Sequence, residues 1–193
     1  MNKLIVLLLV LLASAQAKAQ TLNPSFDFFF GGMWHAPRTD YVSDFGGLDV
    51  GFSGSFESGH ALMFDLGLNF GRARDDFRAT HGWIYNGDLL TNIQLYVDYG
   101  RVVRQTFHQQ LMPFVGLGCT GYQYNTADEH DDDIYKSGIS TRIGFCYDWL
   151  FSHPGNGRHN GLRIKPYGAI SFYGSPLKFV PSFNLSVCYL IGE

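Results

Sequence analysis

The chain has 193 residues, a formal net charge of −3, 46% hydrophobic and 16% aromatic residues, and 23 glycines. That charge argues against a nucleic-acid or anionic-surface binder, which needs clustered Lys and Arg. Beyond residue 20 there is no run of the roughly 18 apolar residues that a helical membrane span requires, so that class is excluded as well.

In chain order, Lys3 leads into the apolar run Leu4 to Leu12 and then into Ala17-Lys18-Ala19. This pattern predicts a signal peptide over residues 1–19, cleaved before Gln20, because the run is too short to cross a bilayer as a helix, which takes about 20 residues. The residue directly after the cleavage point is Gln20 and not a cysteine, so no lipid attachment is expected. The remainder, 20–193, reads as one domain whose formal charge, without Lys3 and Lys18, is −5.

From there the period is two, which is the period of strands. A first strand near Phe26 to His35 has its faces blurred by three consecutive phenylalanines and by Gly31-Gly32. Leu48, Val50 and Phe52 then alternate with Asp49, Gly51 and Ser53. Leu62, Phe64, Leu66, Leu68 and Phe70 alternate with Met63, Asp65, Gly67, Asn69 and Gly71. Ile93, Leu95, Val97 and Tyr99 oppose Asn92, Gln94, Tyr96 and Asp98, and Val115, Leu117 and Cys119 oppose Phe114, Gly116 and Gly118. Ile139, Ile143, Phe145, Tyr147 and Trp149 oppose Ser140, Arg142, Gly144 and Asp148. The last two runs set Leu162, Ile164, Ile170 and Phe172 against Arg163, Lys165, Tyr167 and Ser171, then Phe179, Phe183, Leu185, Val187 and Tyr189 against Ser182, Asn184, Ser186 and Cys188. The count is eight, and an even number lets a sheet close with both ends on one side. Long connections are expected at 36–44, 72–88 and 125–136 with a short one at 174–176, and turns on the other side at 57–60, 102–110 and 152–160. The fold class predicted is all-β: an eight-stranded antiparallel up-and-down transmembrane β-barrel.

Volume decides which face points inward. The interior of an eight-stranded barrel is just wide enough to be filled by side chains, so Phe, Leu and Ile on every strand would overfill it, whereas Gly, Ser and Asn fit. The small face is also a poor soluble exterior, since it holds one Lys and no Glu. Two aromatic girdles are expected, from Phe56, Tyr99, Tyr147, Trp149 and Tyr189 at one end and from Phe70, Phe172 and Phe179 at the other. The inward face then carries Asp49, Asp65, Asp98 and Asp148 against Arg142, Arg163 and Lys165. Charges in so narrow a space must pair, and the pairs are expected to block flow.

Pro113-Phe114-Val115-Gly116-Leu117-Gly118, Lys165-Pro166-Tyr167-Gly168 and the closing Pro181-Ser182-Phe183-Asn184-Leu185-Ser186-Val187-Cys188-Tyr189 carry a family resemblance. The chain resembles the small outer-membrane β-barrel proteins, the porin-like "outer membrane protein beta-barrel domain" group. The resemblance implies a fold and a location in the cell outer membrane, with lipid, lipopolysaccharide and the barrel-insertion machinery as partners and no reaction. Members of that family usually end on an aromatic residue; here Leu190-Ile191-Gly192-Glu193 follow Tyr189.

Chemistry-bearing residues are sparse. Asp128, Glu129, Asp131, Asp132 and Asp133 could offer Ca²⁺ or Mg²⁺ hard oxygen ligands, although EF-hand spacing is absent and such a run is usually a solvated loop. Arg72, Arg74 and Arg78, followed by Trp83 and Tyr85, suit the phosphates of lipopolysaccharide, in competition with pairing to Asp75 and Asp76. A lipid-modifying enzyme is the first alternative, with His35, His81 and Asp76 as acid-base groups; Gly51-Phe52-Ser53-Gly54-Ser55 misses the Gly-x-Ser-x-Gly pattern at its last position. The second alternative is a soluble periplasmic ligand-binding barrel. Cys119, Cys146 and Cys188 have no metal spacing and read as buried or lipid-facing side chains. The expectation is a monomeric, non-enzymatic barrel without a cofactor.

Overall fold

The computed structural model describes residues 25–79, 82–106, 108–124, 134–151, 159–175 and 177–193. Eight long strands run through them: β1 (Ser25–Pro37), β2 (Phe45–Ser55), β3 (His60–Arg72), β4 (Leu89–Arg101), β5 (Gln109–Tyr124), β6 (Ile134–Leu150), β7 (His159–Tyr173) and β8 (Phe179–Gly192). Each pairs antiparallel with the next in sequence, and β1 pairs with β8, which closes the sheet into a barrel. The signal peptide expected at 1–19 lies outside the described residues.

The closure has a definite stagger. Stepping from strand to strand through paired residues leads from Asp27 to Ser53, Met63, Asp98, Gly116, Arg142, Ala169 and Ser182 and returns to β1 at Pro37. The circuit ends ten residues beyond its start, from Asp27 to Pro37. For eight strands a stagger of this size tilts each strand by about 40° from the barrel axis. Strands near ten residues long, which the alternation predicts, are therefore extended to between 11 and 17 residues.

The bulky alternating residues face outward: Leu48 is 61% exposed, Leu117 65% and Ile139 68%. Their partners in the alternation, among them Asp49, Asp65, Asn69, Asp98 and Ser140, are buried on the inside. The girdle residues Phe56, Tyr99, Trp149, Tyr189, Phe70, Phe172 and Phe179 are all on the outer surface. The first strand resolves its ambiguity by putting Phe28 and Phe30 outside and Phe29 fully inside.

The inner face also carries large side chains: Met63, Tyr96, Phe114 and Tyr167, which the alternation places there, and Phe29, Phe45 and Tyr122 are all buried. Glycines leave room for several of them, Gly51 beside Phe29, Gly71 beside Phe45, Gly118 beside Tyr96 and Gly144 beside Tyr167, so the interior mixes large with small.

At the end of the barrel that carries Ser25 and Gly192, β2 and β3 are joined by a tight turn, and β4 and β5 by a turn containing two extra rungs, Arg104 to Leu111 and Gln105 to Gln110. The opposite end carries the longer connections. Within the connection from β3 to β4, Phe77–Arg78 pair antiparallel with Trp83–Ile84 as a small two-stranded ladder. The predicted loop and turn positions are met to within three residues, the widest difference being at 125–136, where β6 already begins at Ile134.

Candidate functional site

Strand β7 displays the interior in order, since its inward positions from the terminus end are His159, Gly161, Arg163, Lys165, Tyr167, Ala169, Ser171 and Tyr173. The sequence thus passes from charge, through aromatic and small residues, to hydroxyls.

The lowest charged layer is built on Arg163. Its Nε donates to Asp148 Oδ1 at 2.7 Å and its Nη2 to Asp148 Oδ2 at 2.9 Å, a bidentate pair, while Nη1 donates to Ser53 Oγ at 2.9 Å. Asp27 Oδ2 lies 3.9 Å away, and Asp27 Oδ1 is 2.6 Å from His159 Nε2. The second layer joins Lys165 to Asp49 at 2.9 Å and to Asp65. Arg142 donates to Asp65 at 2.5 Å and grips Asp98 through Nε at 2.8 Å and through Nη2. The Arg142 guanidinium also lies over the Tyr96 ring at 3.9 Å and the Tyr167 ring at 4.7 Å.

All seven charged residues read from the alternation therefore stand in these two layers. Removing such ions from water is costly, and bidentate geometry with added hydroxyl and ring contacts is what offsets the cost. Asp27 and His159 belong to the network and escaped sequence reasoning. Asp27 sits among phenylalanines in the strand whose faces were unreadable, and His159 falls in a segment that reads as turn. The signal that could have found Asp27 is strict alternation carried back from Phe30.

Above the charges, the interior is polar but uncharged: Tyr96 donates its hydroxyl to Ser140 at 2.7 Å, Tyr173 to Thr120 at 3.2 Å, and Gln94 its amide to Asn92 at 2.7 Å. The loop end is then closed over by apolar side chains. Val42 and Phe45, Ala73, Phe77 and Ile84 of the 73–88 connection, and Leu177 pack with Tyr122 and Tyr173. Alternation in the small ladder turns Phe77 and Ile84 into this cap and leaves their neighbours Arg78 and Trp83, paired side by side, on the exposed face.

The three predicted phosphate-binding arginines, Arg72, Arg74 and Arg78, are exposed around that ladder, as are Trp83 and Tyr85. Arg72 Nη1 donates to the Gly87 carbonyl at 2.9 Å. The competing carboxylates are engaged by backbone amides instead: Asp75 accepts from Asp76 N, Asp76 from Asn86 N and Asp88 from Tyr85 N, each at 2.8 Å. Among the described residues no ion pair joins these arginines to Asp75 or Asp76.

The other candidates are dispersed. His35 is buried inside the barrel, its Nδ1 donating to Asn184 Oδ1 at 2.5 Å, whereas Asp76 is exposed in the loop and His81 lies outside the described residues. Ser53, the central residue of the Gly51–Ser55 stretch, is buried against Arg163. The acidic run Asp128, Glu129, Asp131, Asp132 and Asp133 lies outside the described residues. The three cysteines are free, Cys119 on the outer surface and Cys146 and Cys188 inside.

No family model and no curated protein sequence matches the chain. Solved structures do resemble it. Neisserial surface protein A is 9% identical, with a TM-score of 0.50, covering 87% of this chain and 96% of that one. The chain has the fold of the small outer-membrane β-barrels. Ail, the attachment invasion locus protein of Yersinia pestis, solved in complex with the heparin analogue sucrose octasulfate, is 13% identical with a TM-score of 0.49, covering 88% of this chain and 99% of that one. The N-terminal barrel domain of Pseudomonas aeruginosa OprF is 15% identical with a TM-score of 0.39, covering 89% and 99%. At these identities the likeness concerns the path of the backbone and assigns no ligand.

Proposed function

We propose that this chain is a monomeric, non-enzymatic integral protein of the cell outer membrane, with its termini and short turns on the periplasmic side. In this reading the paired interior does not conduct, and the exposed loops serve surface interaction. The observation that carries the reading is the outward face of the eight strands, which is lined through its middle by exposed large apolar side chains and is rich in aromatic ones toward the strand ends. A belt of that extent is stable against acyl chains and not against water. Export by residues 1–19 and delivery to the barrel-insertion machinery are part of the same reading. So is the absence of an active site, supported by the engagement of His35 with Asn184 and of Ser53 with Arg163.

Single-cysteine variants in a cysteine-free background test it. Leu66→Cys, on the outer face, is expected to react with a lipid-soluble maleimide in membranes, and Gly67→Cys, on the inner face, is not. Release of the native protein by osmotic shock, or labelling of both positions alike, would refute a membrane-embedded barrel in favour of a soluble one.

Arg72, Arg74 and Arg78 are the proposed contacts to phosphates of lipopolysaccharide. Guanidinium groups without a carboxylate partner among the described residues, beside an exposed Trp83, suit a headgroup that presents phosphate above an apolar layer. Replacing all three with alanine is expected to weaken lipopolysaccharide binding by the refolded barrel at least tenfold; unchanged binding would end this part of the proposal.

A further inference from the structure

Besides its ions, the interior contains a cluster of sulfur atoms for which the proposed surface role has no use. Met63, Met112 and Cys146, from β3, β5 and β6, are all buried and belong to one packed group. Cys146 Sγ is 3.7 Å from Met63 Sδ. Met112 is directly opposite Cys146 in the β5–β6 ladder. It is seated over Gly100, where a Cβ would come within 3.0 Å of Met112 Sδ, so the bare backbone of β4 is what admits the thioether.

We propose that Met63, Met112 and Cys146 form a binding site for a soft monovalent cation, Cu(I) or its analogue Ag(I). Two thioethers and one thiolate are the donor set that selects such ions. With metal–sulfur bonds of about 2.3 Å, two sulfurs 3.7 Å apart subtend about 110° at a shared ion, an ordinary angle for three or four ligands.

Charge favours the same ion. On binding, the Cys146 S–H bond breaks, the proton leaves to solvent and a sulfur–Cu(I) bond forms. One positive charge enters as one departs, and nothing is oxidised or reduced. The neutral thiolate–Cu(I) unit adds no net charge between the Arg163–Asp148 and Arg142–Asp98 pairs, whereas a divalent ion would bury an uncompensated charge there. All three residues lie within four positions of a strand end at the terminus side, which places the site near one mouth of the barrel.

The test uses the full barrel, refolded in detergent in a Cys119→Ser background, because Cys119 is an exposed thiol. Cu(I) is supplied from a chromophoric bicinchoninate complex, and each variant is first checked for heat-modifiable migration. The expected result is one Cu(I) withdrawn per chain, with an ultraviolet thiolate-to-copper band. Cys146→Ser should abolish the band, and Met63→Leu and Met112→Leu, which keep the volume, should each weaken binding at least tenfold. Met33→Leu is the control: Met33 belongs to the same packed group, but its Sδ accepts from the Tyr167 hydroxyl at 3.2 Å. Failure of the folded protein to withdraw copper, or withdrawal unaltered by Met63→Leu and Met112→Leu, would overturn the proposal and leave the sulfurs as packing alone.

Discussion

Replacing Arg142 with methionine tests the interior most directly. The substitution keeps most of the side-chain volume and removes the charge. Asp98, fully buried, has no other cation in its ion pairs among the described residues, while Asp65 keeps Lys165. The loss therefore strands one carboxylate in a dry interior, which costs about 3–5 kcal/mol when a buried pair is broken from one side. A value of about 4 kcal/mol is close to a thousandfold in the folding equilibrium. Adding Asp98→Asn removes the stranded charge, and the double variant is expected to recover all but about 1 kcal/mol, since a buried pair replaced on both sides is often nearly neutral. Equilibrium urea unfolding in lipid vesicles measures both, with tryptophan fluorescence and the folded gel band as independent probes. A cost below about 1 kcal/mol for the single variant, or a double variant no more stable than the single, would refute the claim that this pair is desolvated and mutually dependent.

Leu117, at the middle of β5 on the outer face, is expected to cost about 2–4 kcal/mol when changed to arginine in a bilayer, the penalty for a cation near the midplane; the same vesicle assay measures it. Gly116 lies beneath the Asp98–Arg142 pair, with a Cβ position 1.8 Å from Asp98 Oδ1. Gly116→Val should therefore displace the pair and lower stability by about as much as breaking it, 3–5 kcal/mol, with little added effect when Arg142 is already methionine. Planar-bilayer recordings of the pure protein are expected to give no stable channels, and reproducible unitary conductance would contradict a sealed interior.

The strands were most legible where the alternation was clean. Leu62 to Phe70 reads without ambiguity because each outward side chain is large and apolar while the inward ones, Met63 apart, are acidic, amide or glycine. Phe28-Phe29-Phe30 did not read, because the sense of the alternation is lost when inward and outward positions carry the same ring. Phe29 turns inward, with Arg163 and Lys165 at 4.9 and 4.8 Å from its ring centre, contacts that no local pattern encodes. The same holds for the charges. Their membership of the inner face was readable, but the partner of each was not, because Arg142 on β6 meets Asp98 on β4 and Asp65 on β3 rather than its ladder neighbours Gly116 and Ala169. Those matches depend on the ten-residue stagger, a property of the closed circuit and of no single strand. The outward role of Arg78 and Trp83 was obscured in the same way, since a two-residue ladder is too short to show a period.

The meeting of β1 with β8 has a consequence for assembly. Asp27 lies opposite Gly192 across that seam, so the contact that completes the cylinder joins nearly the most distant residues described. Until it forms, two strands present bare amide and carbonyl edges, which hydrocarbon does not tolerate. Seven strands in the bilayer are thus no halfway house, and closure and insertion must advance as one event.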